Sequence, residues 1–169
     1  MLDLSLYRDK LDKMGFFTAP ASTRFHGAHR GGLYEHSLHV MDNLVMLTEK
    51  LGLKWEREDS PYIVGLFHDL CKCDQYSMDD DYKYSYNGET LFRGHGVKSA
   101  MLAGTLLQLT EEEVACIVYH MGAFCDKDEW SDYTRAIHRY PNVLWTHTAD
   151  MMAAHIDEVG VARKEGVRR

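Results

Sequence analysis

Across residues 33–51 the apolar positions recur every three to four residues. His36, Val40, Leu44, Leu47 and Leu51 fall on one stripe, and His39, Asp42, Asn43 and Met46 on another. The spacing predicts a helix with His36 turned inward and His39 outward. Ser60-Pro61 reads as an N-cap followed by proline at the first helical position, and the run after it, YIVGLFHDL, is apolar apart from His68 and Asp69. Such a helix belongs in the centre of the molecule, and a His-Asp pair inside it needs partners. Gly94 and His95 open a further helical stretch, GVKSAMLAGTLLQL. Thr110 and Glu113 form a capping box at the head of EEEVACIVYHM, with His120 at its end. A last helix spans 143–159 and stops at Gly160, with Asp150 on the stripe of Val143, His147 and Ala154. Only YKYSYNGETLF, residues 82–92, alternates as a strand does, and Asn87-Gly88 within it predicts a hairpin turn. The expected fold is all-α, a helical bundle with one small β-hairpin at about 82–92.

Length and composition narrow the class. A chain of 169 residues suits one domain, read here as residues 1–169 with a core over about 16–158 and a basic, frayed tail at 160–169. With 45% apolar and 27% charged residues and three prolines, intrinsic disorder is excluded. A net charge of −7 works against a broad basic face for duplex nucleic acid or an anionic membrane. The acidic start, MLDLSLYRDKLDKM, lacks the apolar segment of a secretory signal, and the longest charge-free run, residues 99–110, is too short to cross a bilayer. A cytoplasmic protein without membrane contact is expected. The cysteines at 71, 73, 116 and 125 follow neither a redox nor a zinc spacing, and are read as reduced packing thiols.

Histidine is the unusual component, with ten in the chain. His36, His68, Asp69, His95, His120 and Asp150 lie on five different helical segments, each near a helix end or on a buried stripe. Bundles build metal sites from inward-facing side chains of this kind, and imidazoles with carboxylates suit Fe, Mn, Zn, Ni or Co. Neighbouring His68 and Asp69 stand about 100° apart around a helix, so both reach one centre. A carboxylate bridges two ions where an imidazole cannot, which makes Asp69 the natural bridge. Burying Asp69 and Asp150 without partners would be costly, and cations supply the partners.

The order His36, His68-Asp69, His95, His120, Asp150 resembles the signature of HD-domain metal-dependent phosphohydrolases. The segments PASTRFHGAHRGGLYEHSLHV, GLFHDLCK, GHGVKSA, YHMGA and THTADMMAAH are similar, over roughly 16–158, to the HD portion of bacterial 3′-to-5′ exoribonucleases that join an OB-fold to an HD domain. The resemblance implies one or two divalent transition-metal ions. His36, His68, Asp69 and Asp150 would hold one ion, Asp69, His95 and His120 the other, and a metal-bound hydroxide would attack phosphorus. Lys72, one helical turn beyond the pair, would neutralise charge developing on the phosphate, while His26 and Arg30 would grip phosphate or a leaving group. The chain departs from those exoribonucleases in having no OB-fold platform and in carrying His26-Gly27 where two histidines are usual. The expected substrate is therefore a small nucleotide or a short oligonucleotide end, rather than long RNA or DNA. The alternatives are a 3′-to-5′ exonuclease acting on single strands, a di-iron HD-type oxygenase using the same ligands, and a metal-stabilised binding module. The hairpin, lying between the His-Asp pair and His95, is expected at the metal mouth with Tyr82, Tyr84 and Tyr86 turned towards base or solvent.

Overall fold

The structure, a computed structural model, describes residues 2–24, 27–78 and 83–158. A 3-10 turn, Leu4–Tyr7, leads into α1 (Arg8–Met14), followed by the long α2 (Gly32–Leu51) and α3 (Ser60–Phe67). A second 3-10 turn, Leu70–Cys73, precedes strands β1 (Tyr76–Met78) and β2 (Tyr84–Tyr86). Helices α4 (His95–Gly104), α5 (Glu111–Val118), α6 (Trp130–Arg139) and α7 (Asn142–Met152) complete the set, and α7 runs on as a π-helix over Ala153–Asp157. The fold is all-α, with one two-stranded antiparallel sheet among the described residues. No described helix is long and apolar enough to cross a membrane.

The buried stripe of α2 (Leu33, His36, Ser37, Val40 and Leu44) faces α3 on one side and α7 on the other. Helix α3 comes unusually close: a Cβ at Gly65 would lie 2.4 Å from the Met41 Cα, so glycine is what lets the two backbones meet. Gly96 does the same for α4 and α5, where a Cβ would sit 2.0 Å from the Val118 carbonyl oxygen. One hydrophobic cluster joins these helices, with Phe16, Leu33, Leu44, Ile63, Phe67 and Ile117 buried in it.

The capping box is present: Thr110 Oγ1 accepts from the Glu113 amide at 3.2 Å, and the Thr110 amide donates to Glu113 Oε2 at 2.9 Å. The same buried carboxylate accepts from Arg57 Nε (2.7 Å), Arg57 Nη2 (2.6 Å) and the Ser60 hydroxyl (2.8 Å). Ser60 is therefore not the N-cap of α3. Asp59 takes that position, and Ser60 begins the helix because Glu113 offers its hydroxyl a charged acceptor.

The hairpin lies earlier than the Asn87-Gly88 signal places it. Residues 84–86 pair backwards, in the register Tyr76 with Tyr86, Ser77 with Ser85 and Met78 with Tyr84. The connection thus falls at 79–83, of which 79–82, including Tyr82, lie outside the described residues. Asn87 closes the base of the hairpin, its amide donating to the Gln75 carbonyl (2.9 Å) and its Nδ2 to the Asp74 carbonyl (2.9 Å). With those groups engaged, Asn87-Gly88 starts the next turn instead of joining two strands. Three helices are also shorter than their patterns. Helix α4 stops at Gly104 and α3 at Phe67, so His68 and Asp69 occupy the junction between α3 and the 3-10 turn. His120 lies two residues beyond the end of α5. The tail at 160–169 lies outside the described residues.

Candidate metal centre

The six residues singled out by spacing converge. His36 comes from the first full turn of α2, His68 and Asp69 from the end of α3, His95 from the start of α4, His120 from just past α5, and Asp150 from α7. Asp69 is at the middle and divides its two oxygens between them. Oδ2 lies 3.4 Å from His68 Nε2 and 3.7 Å from His36 Nε2, whereas Oδ1 lies 2.8 Å from His95 Nε2 and 3.4 Å from His120 Nε2. Asp150 Oδ1 approaches His36 Nε2 at 3.1 Å. Three overlapping groups have ligand atoms close enough for one ion: His36, His68 and Asp69; His68, His120 and Asp150; and Asp69, Cys71 and His95.

The remaining ring nitrogens fix how the imidazoles present themselves. His68 Nδ1 donates to the Gly65 carbonyl at 2.9 Å and His120 Nδ1 to the Ile117 carbonyl at 2.7 Å. A carbonyl can only accept, so each Nδ1 carries the proton and each Nε2 is left as a lone pair turned to the centre. His36 Nδ1 donates to Glu158 Oε1 at 2.7 Å, and His95 Nδ1 meets the Cys71 sulfur at 3.2 Å.

Electrostatics point the same way. Burial opposes ionisation of Asp69, but the Lys72 ammonium and the His68 and His95 rings outweigh it and hold the carboxyl well below its usual range. Burial also raises Asp150, but the hydrogen bond from His36 together with the His68, His36 and His120 rings outweighs it and holds the carboxyl below its usual range. His36 is pushed up to about 9, because the Asp150 and Glu158 carboxylates overcome its desolvation. Burial, helped by the His120 ring, drives His68 down against the pull of Asp69, and burial with Asp69 nearby lifts the Cys71 thiol to about 12. His68 Nε2, His120 Nε2 and Asp69 Oδ1 are buried acceptors without a hydrogen-bond partner. Lone pairs left that way are destabilising, and a divalent cation satisfies all three, so these residues fit a metal.

Of the six, His95 is the most exposed. His36, His68, Asp69 and His120 are at most 2% exposed, while the His95 side chain is 26% exposed. A cavity of about 220 Å³ opens at His95, between β2, the 87–94 segment and α4. A larger groove of about 540 Å³ between α5 and α6 shares no residue with the cluster, and volume is a poorer guide than chemistry here.

Lys72 joins the six, its Nζ 2.6 Å from Asp69 Oδ2. Arg30 does not; it stands exposed in the loop ahead of α2. His26 lies outside the described residues. His147 supports the site indirectly, donating Nδ1–H to the His120 carbonyl at 2.9 Å. Two participants escape the sequence pattern. Cys71, read as a packing thiol, touches His95. Glu158 stands eight residues after Asp150, a separation that leaves about 80° between them on a regular α-helix. The π-turn at Ala153–Asp157 takes more residues per turn and brings Glu158 back over His36.

Residues 33–158 match the family model for the HD domain. No curated protein and no solved structure matches the chain.

Proposed function

The chain belongs to the HD domain family, and from that premise we propose that it cleaves a P–O bond of a small nucleotide or a short oligonucleotide end. Membership implies metal-dependent phosphohydrolase activity in general, and with it a phosphate-bearing substrate and divalent metals. The observation that carries the finer reading is the small cavity at His95. Five of the six candidate ligands are buried, and the cavity that His95 lines, about 220 Å³, is smaller than the roughly 300–1,000 Å³ that encloses a drug-sized ligand. Such an opening suits one phosphate and its immediate neighbour. The family match over 33–158 and the single core also support reading the chain as one HD domain.

In this reading His36, His68, Asp69 and Asp150 hold one ion, and Asp69, His95 and His120 a second. The division of the Asp69 oxygens between the two sets of imidazoles supports its bridging role. Bound divalent ions supply an acidified water and neutralise phosphoryl oxygens. The protein contributes orientation: the Gly65 and Ile117 carbonyls lock the His68 and His120 tautomers, and Glu158 locks that of His36. Lys72 stabilises charge developing on the phosphate from a buried, water-poor position.

The test is phosphate release from nucleoside mono-, di- and triphosphates and nucleotide release from labelled single strands of increasing length, with Mn, Co, Fe, Ni, Zn and Mg, at two salt concentrations. Turnover of the mononucleotides is expected. Activity that climbs with strand length and is suppressed by salt would overturn the small-substrate reading in favour of the exoribonuclease likeness. Oxygen uptake without phosphate release would replace hydrolysis by oxygenase chemistry.

A further inference from the structure

We propose that the cavity beside His95 is a subsite for a second phosphate of the substrate, one that is not cleaved, with Arg93 and Thr90 as its ligands. The proposal rests on the phosphohydrolase reading above and names the substrate class within it: nucleotides carrying at least two phosphates.

The lining of the cavity carries the argument. It includes Arg93, Lys98 and His95 and no carboxylate, in a chain whose net charge is −7. Most of its polar groups are already engaged. Lys98 is 5% exposed and paired with Asp74. The Asn87 amide donates to the Asp74 carbonyl and its oxygen accepts from the Glu89 amide at 3.0 Å. Gln75 is taken up by the Tyr76 hydroxyl and the Cys71 thiol. Among the described residues the Arg93 guanidinium has no ion pair or hydrogen bond, and the Thr90 hydroxyl has none either. An unpaired guanidinium fork beside a free hydroxyl matches the oxygens of a phosphate, and the fork can bind two of them at once.

Position ties this group to the reaction. Arg93 is two residues before His95, whose Nε2 faces Asp69 at 2.8 Å, so an anion on Arg93 lies beside the metal centre and outside it. Gly94, with φ of +92°, makes the bend that separates the two side chains. The volume of about 220 Å³ equals roughly seven waters of liquid, room for a phosphate and part of a sugar but not for a run of nucleotides. Exposed faces of Tyr86 and Phe92 flank it and offer apolar cover for the nucleoside.

The test compares adenosine 5′-diphosphate and adenosine 3′,5′-bisphosphate with adenosine 5′-monophosphate in wild type, Arg93→Ala, Arg93→Lys and Thr90→Val. Wild type is expected to prefer the two-phosphate substrates in kcat/KM. Arg93→Ala should shrink that preference about 10- to 100-fold, chiefly through KM, with partial recovery in Arg93→Lys and a smaller loss in Thr90→Val. A loss equal for all three substrates, or no loss, overturns the subsite and leaves hydrolysis standing. The second readout is calorimetric binding of the non-hydrolysable α,β-methylene analogue of adenosine diphosphate. Weaker binding by Arg93→Ala, in a protein that releases phosphate from nothing, would keep the subsite and overturn hydrolysis. Equal binding by both proteins would overturn the subsite. Because Arg93 is exposed, an unchanged melting temperature checks that each variant is folded.

Discussion

Lys72 Nζ sits 2.6 Å from Asp69 Oδ2, and both side chains are buried. Desolvation works against the ammonium, yet the Asp69 carboxylate more than restores it, so Lys72 keeps its charge across the neutral range. A fixed cation one 3-10 turn from the centre is therefore in place before any phosphate arrives.

Replacing Lys72 by methionine keeps the stem and removes the charge. With Lys72 stabilising the transition state, kcat should fall about 10²- to 10³-fold while KM changes much less. Steady-state kinetics on a phosphate-releasing nucleotide decide the point. A change confined to KM would make Lys72 a binding residue.

Asp69→Asn removes the charge that both sets of imidazoles share. Metal content of the purified variant, read by elemental analysis, should drop for both ions together, with all turnover. Loss of one ion alone would mean that Asp69 serves a single site. The variant also strips Lys72 of its buried partner, which costs about 3–5 kcal/mol. A lower melting temperature in the metal-free state should accompany the loss.

Glu158→Gln leaves the shape and takes away the carboxylate that orients His36. Metal affinity, measured by competition with a chelator, should weaken about 10- to 100-fold, while circular dichroism stays that of the wild type. Unchanged affinity would reduce Glu158 to a packing residue.

Away from the centre, Arg57 holds the fully buried Glu113 at 2.7 and 2.6 Å. Arg57→Ala leaves that carboxylate with the Thr110 amide and the Ser60 hydroxyl alone, and should destabilise the fold by about 3 kcal/mol. Urea unfolding should show a lower midpoint at an unchanged slope. Metal content should not change.

The candidate centre was legible in part because its residues lie on or just beside elements with their own local signals. The α2 stripe orients His36, and the capping box starts the helix that ends near His120. Contacts that depend on chain phase or on partners across the fold were not legible. Alternation at 82–86 is equally compatible with a strand before it or after it, and the choice was made by Asn87 bonding back to Asp74 and Gln75. The Ser60 hydroxyl suits an N-cap until Glu113, 53 residues on, competes for it. Cys71 meets His95 only because the 3-10 turn and α4 pack together, a proximity with no local mark.

The wide turn at Ala153–Asp157 makes chain length itself a control on the centre. Inserting one further residue there as ordinary helix would swing Glu158 by about 100° off His36, and Asp157 off Asn43, which it now meets at 2.7 Å. Asp150 lies upstream of the change and would keep its place. Support for an ion could thus be retuned by indel, with every ligand left as it is, in a stretch of helix where substitutions alone are usually considered.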